Sequence, residues 1–481
     1  MNFKSKYISL GALAFLLVSC ATPQVAELKK AEQLPETLVE STIQPISGFK
    51  NVTLKSYFND PYLIQLFDKS VAANPDFGIA QQRIQIANSY LQRSKKELLP
   101  SLEIGAIASG DRYGDYTMEG VGNYDTNLSA NITEKQKINR DFTPNYWLGG
   151  RSNWEVDLWG RLKSQNQSSL KQFLASEEGL KLLKIELFTD ITKLYYQLIA
   201  LDNRLKIYEE NYQLQQRAFE IISAQRVVGK ATELAVQQFK AQNKNIKAQI
   251  EHLKIEIVSV EQALRTLTGT YEGEIKRGDQ LLKSNIDLLN QSYDVETIIH
   301  SRHDVLSKYY ELEASQANAK AAKAAFYPRL NIDAKVGLNS FSSGTFFNVG
   351  SMAAQILGGL MVPIFNQGQL KHNFNVANAE QEIAFLNYQK SVTSAYNELY
   401  AILKQMDIYE SALKLKNEEV EHLDLAVEVS NELYITGYAN YLELINSQKN
   451  KLQADLDFLQ FQEENSQNNV ILFKALGGII N

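Results

Sequence analysis

One cysteine, Cys20, occurs in the 481-residue chain, so a single copy can form neither a disulfide nor a cysteine-based metal site. Prolines number only nine, while Gln, Lys, Glu, Leu and Ala dominate the middle of the chain, a composition that favours long helices. An excess of basic charge is also missing. Against 49 Lys and Arg stand 55 Asp and Glu, a formal net charge of -6 that offers no field for nucleic acid. Past residue 20 no apolar run reaches about 18 residues, so no later helix can cross a bilayer and any spanning segment has to be β-barrel. A P-loop, a dinucleotide-binding glycine motif, a zinc-protease HExxH and a nucleophile elbow are all absent, so neither catalysis nor an energy source is expected in this chain. Five histidines remain. His300 and His303 stand at a spacing two metal ligands can use on a helix, beside Asp304, but a solvated helix start accounts for them, and His252, His372 and His422 are isolated. No metal and no cofactor are expected.

What is present begins with a leader. Lys4 and Lys6 precede an apolar stretch from Tyr7 to Val18, too short to span a bilayer, as in a secretory signal peptide over 1–19. Its end, Leu17-Val18-Ser19-Cys20, resembles the bacterial lipobox, which makes Cys20 the expected lipid-attachment site. Ala21 after it, rather than Asp, points by the lipoprotein sorting rule to the outer membrane. Residues 20–60 are expected to form a lipid-anchored linker.

The chain also matches itself. Gly160, Gly229 and Gly269 recur as Gly368, Gly437 and Gly477, each pair 208 residues apart, and Pro100 recurs as Pro328 at an offset of 228. The sequence reads as a duplication, 61–269 and 296–478, joined by a segment 270–295 that shows no pattern of its own. In each copy a helix (Pro61 to Leu99, or about Glu296 to Phe326) ends at the proline. Period-two alternation follows, with Leu102, Ile104, Ala106 and Ala108 in the first copy and Leu330, Ile332, Ala334, Val336 and Leu338 in the second. After a loop, long at about 114–146 and short at about 342–350, return strands are expected at about 147–158 and 351–364, closing hairpins over 101–158 and 329–364. From Gly160 to Gly229 no proline interrupts a helix of about 100 Å, at about 1.5 Å per residue.

Two hairpins give four strands, and four strands cannot close a membrane barrel, which needs at least about eight. Two copies would supply eight strands, and three copies twelve together with twelve helical columns. The fold expected is therefore mostly α with membrane β, in an oligomer.

The segment Ser152-Asn153-Trp154-Glu155-Val156-Asp157-Leu158-Trp159-Gly160-Arg161 resembles the strand-to-helix junction of the TolC-like outer membrane efflux proteins. Likewise, Tyr434-Ile435-Thr436-Gly437-Tyr438-Ala439-Asn440-Tyr441-Leu442-Glu443-Leu444 resembles that family's periplasmic hairpin tip. The resemblance covers about residues 55 to 478. It implies a trimer with a 12-stranded β-barrel on a long α-helical barrel, serving as the passive exit duct of a tripartite pump. The partners it implies are a periplasmic adaptor, an inner-membrane transporter of the resistance-nodulation-division type and the outer-membrane lipid.

Carried over by residue, the resemblance makes Trp154, Glu155, Asp157, Gly160 and Arg161 the junction, and makes Gly229, Lys230, Gly437 and Tyr438 the adaptor contacts. It places Leu442 in the closed constriction. A second ring that is usually Asp in the family falls here on Asn446, so any acidic constriction has to rest on a neighbour such as Glu443, which helix statistics read as a solvated or adaptor-facing carboxylate. Trp147, Trp154 and Trp159, with Tyr113, Tyr116, Tyr124 and Tyr146, suit an interfacial aromatic girdle, although packing at the junction accounts nearly as well for Trp154 and Trp159. The alternative is a lipid-anchored periplasmic coiled-coil scaffold without a pore, which would have no use for the two alternating hairpins.

Overall fold

The computed structural model describes residues 23–25, 54–282 and 294–478. Cys20, the leader 1–19 and most of the 20–60 linker lie outside the described residues, as does 283–293. The first half of the described chain runs through α1 (Leu54–Phe58), α2 (Pro61–Ala73), α3 (Pro75–Lys96), β1 (Ser101–Asp111), α4 (Met118–Leu128), β2 (Thr143–Val156), α5 (Arg161–Val227) and α6 (Glu233–Thr268). The second runs through α7 (Val295–Ser301), α8 (His303–Ala324), β3 (Arg329–Ser340), β4 (Met352–Met361), α9 (Gln369–Thr436) and α10 (Tyr441–Ala475).

Three expectations are corrected. The helix expected over 61–99 is two helices that break at Asn74, because Pro75 has no N–H to donate and holds the preceding residue extended, at ψ 123°. The helix expected over 296–326 breaks as well, at Arg302 with ψ 137°, where no proline stands. His300 and His303 therefore sit on different helices: His303 Nδ1 is 2.6 Å from Glu178 Oε2, and His300 Nδ1 is 3.4 Å from the Tyr388 hydroxyl. Third, the long first loop is not all loop, since α4 forms within it, capped by the Thr117 hydroxyl, which accepts from the Gly120 amide at 3.1 Å.

Both breaks are tied to the end of the last helix in their half. Ser70 Oγ and Asn74 Nδ2 donate to the Leu267 carbonyl at 2.6 and 3.0 Å, and Arg302 Nη1 donates to the Ala475 carbonyl at 3.3 Å. The six glycines paired in the sequence all have positive φ, from 63° at Gly269 to 86° at Gly437.

The described chain gathers into two compact units, and each draws on both halves of the sequence. One comprises Gln85–Leu174 and Tyr310–Leu386 and holds the sheet; the other holds residues 54–84 and the described parts of Ala175–Tyr309 and Asn387–Asn481. In the second, Leu63, Phe67, Phe188, Ile191, Tyr195, Leu264 and Phe473 form the main core, with edge-on ring contacts at 5.0 to 5.2 Å around Phe58, Phe67 and Phe188. A second core gathers Ile299, Val305, Leu399, Ile402 and Leu472. The described part of the joining segment straps across the first core: Ile275 is buried, Arg277 binds Asp202 and Glu261, and the Gly278 amide donates to the Tyr195 hydroxyl at 3.0 Å.

In the first unit the four strands form one antiparallel sheet in the order β1-β2-β3-β4. Because opposed residues share a face, the register sorts the side chains. One face carries Leu102, Ile104, Leu148, Trp154, Leu330, Ile332, Val336, Ile356 and Leu360; the other, more polar, carries Glu103, Arg151, Asn153, Asp333, Lys335 and Asn339 along with Ile107, Trp147, Leu357 and Met361. Many of the apolar side chains stand clear of this chain, with Ile104 at 82 % and Ile356 at 80 % exposure, while Trp154, Leu330 and Ile332 are half-buried. No described helix is long and apolar enough to cross a membrane.

Candidate functional site

At the junction after β2, Arg161 grips Glu155 with one edge of its guanidinium, Nη2 donating to the two carboxylate oxygens at 2.8 Å each and Nε to Oε1 at 3.0 Å. Asp157 caps α5 from upstream, its oxygens accepting from the Leu162 and Lys163 amides at 3.1 and 2.8 Å. A carboxylate there also suits the positive end of the helix dipole. Gly160, at φ 73°, lets the chain turn from strand to helix. Trp154 Nε1 donates to the Leu98 carbonyl at 3.1 Å, and Trp159 Nε1 to the Pro328 carbonyl at 2.7 Å while stacking on Tyr327. Both indoles thus hold helix-to-strand connections, Trp154 the one before β1 and Trp159 the one before β3. The register puts Trp147 on the same face as Arg151 and Lys335, and Tyr146 on the opposite, apolar one.

Both helical hairpins end in the same hydrogen-bond motif. At the first tip the Gly229 amide donates to the Arg226 carbonyl (3.0 Å) and the Lys230 amide to the Gln225 carbonyl (2.8 Å). At the second, Gly437 donates to Tyr434 (3.2 Å) and Tyr438 to Leu433 (2.8 Å). All four of these sequence-predicted positions are at the turn, and the Tyr438 ring is 85 % exposed. The two tips pack together through Ile222, Phe239, Tyr434 and Leu444, and the Tyr434 hydroxyl donates to the Gln225 side-chain oxygen. Burial pushes the Tyr434 phenol above its ordinary pKa. Sequence reasoning quoted Tyr434 inside a motif but assigned it no role, because its partner lies in the other hairpin.

Leu442 and Asn446 are one turn apart on α10 and both exposed, with Leu444 and Gln448 buried on the opposite face. Glu443 is committed locally. Its carboxylate accepts from the Asn440 amide at 3.1 Å while Asn440 Oδ1 accepts from the Leu442 and Glu443 amides, a capping box readable as Asn-x-x-Glu. Further along α10, Lys451 Nζ reaches Asp424 of α9 at 2.9 Å and Asp455 at 2.7 Å. Burial pulls its pKa down, but these carboxylates outweigh that and raise it. No group of three His, Cys, Asp or Glu able to hold a metal occurs among the described residues.

The family model for outer membrane efflux proteins matches residues 66–270 and 295–478. The chain belongs to the outer membrane efflux protein family. Among relatives of this efflux protein, the probable outer membrane lipoprotein SilC of Salmonella typhimurium is 23% identical over 487 residues, covering 99% of each chain. The toluene efflux pump outer membrane protein TtgI of Pseudomonas putida is 26% identical over 425 residues, 88% of this chain and 87% of TtgI. The outer-membrane channel OprN has the same fold, with a TM-score of 0.81 at 22% identity over 96% of this chain and 98% of that one.

Proposed function

We infer that this efflux protein is the outer-membrane exit duct of a tripartite pump, with its helical part in the periplasm and no reaction of its own. The observation that carries the reading is the four-stranded sheet with one apolar face, one polar face and two open edges. An open edge in lipid leaves each unpaired backbone group at a cost of several kcal/mol. Three copies joined edge to edge remove the edges in a 12-stranded barrel, with the apolar face toward lipid and the polar face toward a pore. Acylation of Cys20 would hold each copy to the membrane. The tips at Gly229-Lys230 and Gly437-Tyr438 would receive a periplasmic adaptor, which couples the duct to an inner-membrane transporter of the resistance-nodulation-division type. Leu442 and Asn446 would line the periplasmic constriction, which opens as the helix ends untwist. The names of the relatives support transport, SilC as an outer membrane lipoprotein and TtgI as part of a toluene pump.

Single-channel conductance in planar bilayers tests this. The wild type is expected to show small, rare openings, and Leu442→Ala clearly larger ones. A trimeric protein that binds membranes only through Cys20 and conducts in neither form would leave the scaffold as the better account.

A further inference from the structure

One row across the sheet breaks a rule of strand pairing. The register lines up Glu103, Arg151, Lys335 and Gln355 side by side on the polar face of β1 to β4. Arg151 and Lys335 are thus directly opposed like charges, an arrangement that destabilises a sheet. Both are exposed, and neither has an ion-pair partner among the described residues. Nearby carboxylates are engaged elsewhere: Asp333 Oδ1 accepts from Asn153 Nδ2 at 2.7 Å, and Glu155 is held by Arg161. Only Glu103 faces the two cations within the row.

The neighbouring row on the same face is Gly105, Gly149, Gly337 and Ala353, with nothing larger than a methyl. Gly149 and Gly337 approach so closely that a Cβ on either would stand 2.3 Å from the facing carbonyl oxygen, so the two middle positions of the row cannot carry side chains. Trp147 lies along the wall beside Gly105, 3.5 Å from where a Cβ there would stand, and the Arg151 guanidinium rests over its ring at 5.9 Å. Arg151 is therefore held against Trp147, beside the strip of small residues at Gly149, Gly337 and Ala353.

We propose that this row is an anion-attracting belt inside the barrel, one that draws in chloride-sized anions and solutes bearing carboxylate or phosphate groups. The inference rests on the exit-duct reading, which makes the polar face the pore wall. In three copies the rows set six cations against three carboxylates on the inner wall, each row climbing across the tilted strands.

Reversal potentials of the full-length protein in planar bilayers, under a KCl gradient at low salt, test it with K⁺ and Cl⁻ as probes. Arg151→Gln/Lys335→Gln should lower the chloride-to-potassium permeability ratio by about twofold or more, Glu103→Gln should raise it, and both shifts should fade near 1 M salt, where the screening length is about 3 Å. Lys335→Gln alone relieves the opposed charges, so it should assemble at least as well as the wild type and carries the test if the double variant does not assemble. Conducting channels whose ratio stays the same in all variants, or moves in one direction for both signs of charge, overturn the belt. A wild type that does not conduct overturns the exit-duct reading and the belt with it.

Discussion

The two halves of the chain solve the same geometric problems with different chemistry. After β2 the turn into α5 is closed by the Glu155–Arg161 pair, the Asp157 cap and the Trp159 indole. At the matching offset after β4 stand Pro363, Phe365, Gln367 and Gln369, with Ile364 and Phe365 more than four-fifths exposed. Only the left-handed glycine is common to both, at φ 73° and 81°. The helix breaks differ in the same way. Asn74 and Ser70 cap a carbonyl with neutral groups, whereas Arg302, 4 % exposed, caps one with a charge that also binds Asp304 at 2.9 Å and Glu398 at 2.6 Å. The difference teaches that backbone conformation is what a duplicated frame must repeat, while the groups that satisfy it are free to diverge.

Removing Arg302 should sharpen that contrast most. Arg302→Met leaves Asp304 and Glu398 without their cation and should cost about 3 kcal/mol, against about 1 kcal/mol for Asn74→Ala, read from the thermal unfolding of the solubilised protein. The pH dependence distinguishes the two. Burial raises the Asp304 pKa, but the hydrogen bond and charge of Arg302 outweigh it and hold the carboxyl below its ordinary value. Its contribution is complete above the unfolded pKa of about 3.9 and is lost as pH falls through the lowered folded value. In Arg302→Met the buried Asp304 carboxylate gains from protonation instead, so the deficit relative to the wild type should shrink below about pH 4. For Asn74→Ala it should stay flat.

Next comes the pair of glycines that end the last helix of each half. A Cβ at Gly269 meets the Ala73 carbonyl oxygen at 2.8 Å, while at Gly477 its nearest neighbour is 3.8 Å away. Both have positive φ, so Gly477→Ala should cost about 1 kcal/mol from backbone strain and Gly269→Ala about 2 to 3 kcal/mol, since it adds a clash. Equal losses would mean that the Ala73 contact yields freely. A loss like that at Gly477, about 1 kcal/mol, is expected for Asp157→Ala, which frees two amides at the start of α5.

What could be read from the sequence follows the same division. The paired glycines were legible because a left-handed turn leaves few alternatives to glycine, and the sheet's apolar face was legible because Leu102, Ile104, Leu330 and Ile332 keep strict alternation. The break at Asn74 was signalled by Pro75, yet the helical reading carried straight through it. The break at Arg302 has no local signal, since its cause is a carbonyl 173 residues away. Likewise α4, with Gly120 and Gly122 in its first two turns, carries a composition that reads as loop until Thr117 is seen to cap it. The candidate site divided similarly: its turns were visible, but the Tyr434–Gln225 link between tips and the opposed Arg151 and Lys335 depend on pairings between distant segments.

The smallest expected effect separates two roles for one carboxylate. At the first tip the Thr232 hydroxyl caps α6, accepting from the Ala235 amide at 3.2 Å, and Glu233 turns back to Arg226. At the second, Glu443 completes the box with Asn440. A Gln side chain retains the oxygen that accepts from the Asn440 amide, so Glu443→Gln should change stability by only about 0.3 kcal/mol, mostly through the lost charge at the helix start. If capping is its whole role, Glu443→Gln leaves conductance and block by divalent cations as in the wild type, because Asn446 carries no charge to hold a cation. Relief of divalent block in Glu443→Gln, with stability unchanged, would instead put this carboxylate in the pore, and the second tip would then combine a helix cap with an acidic constriction that the first tip lacks.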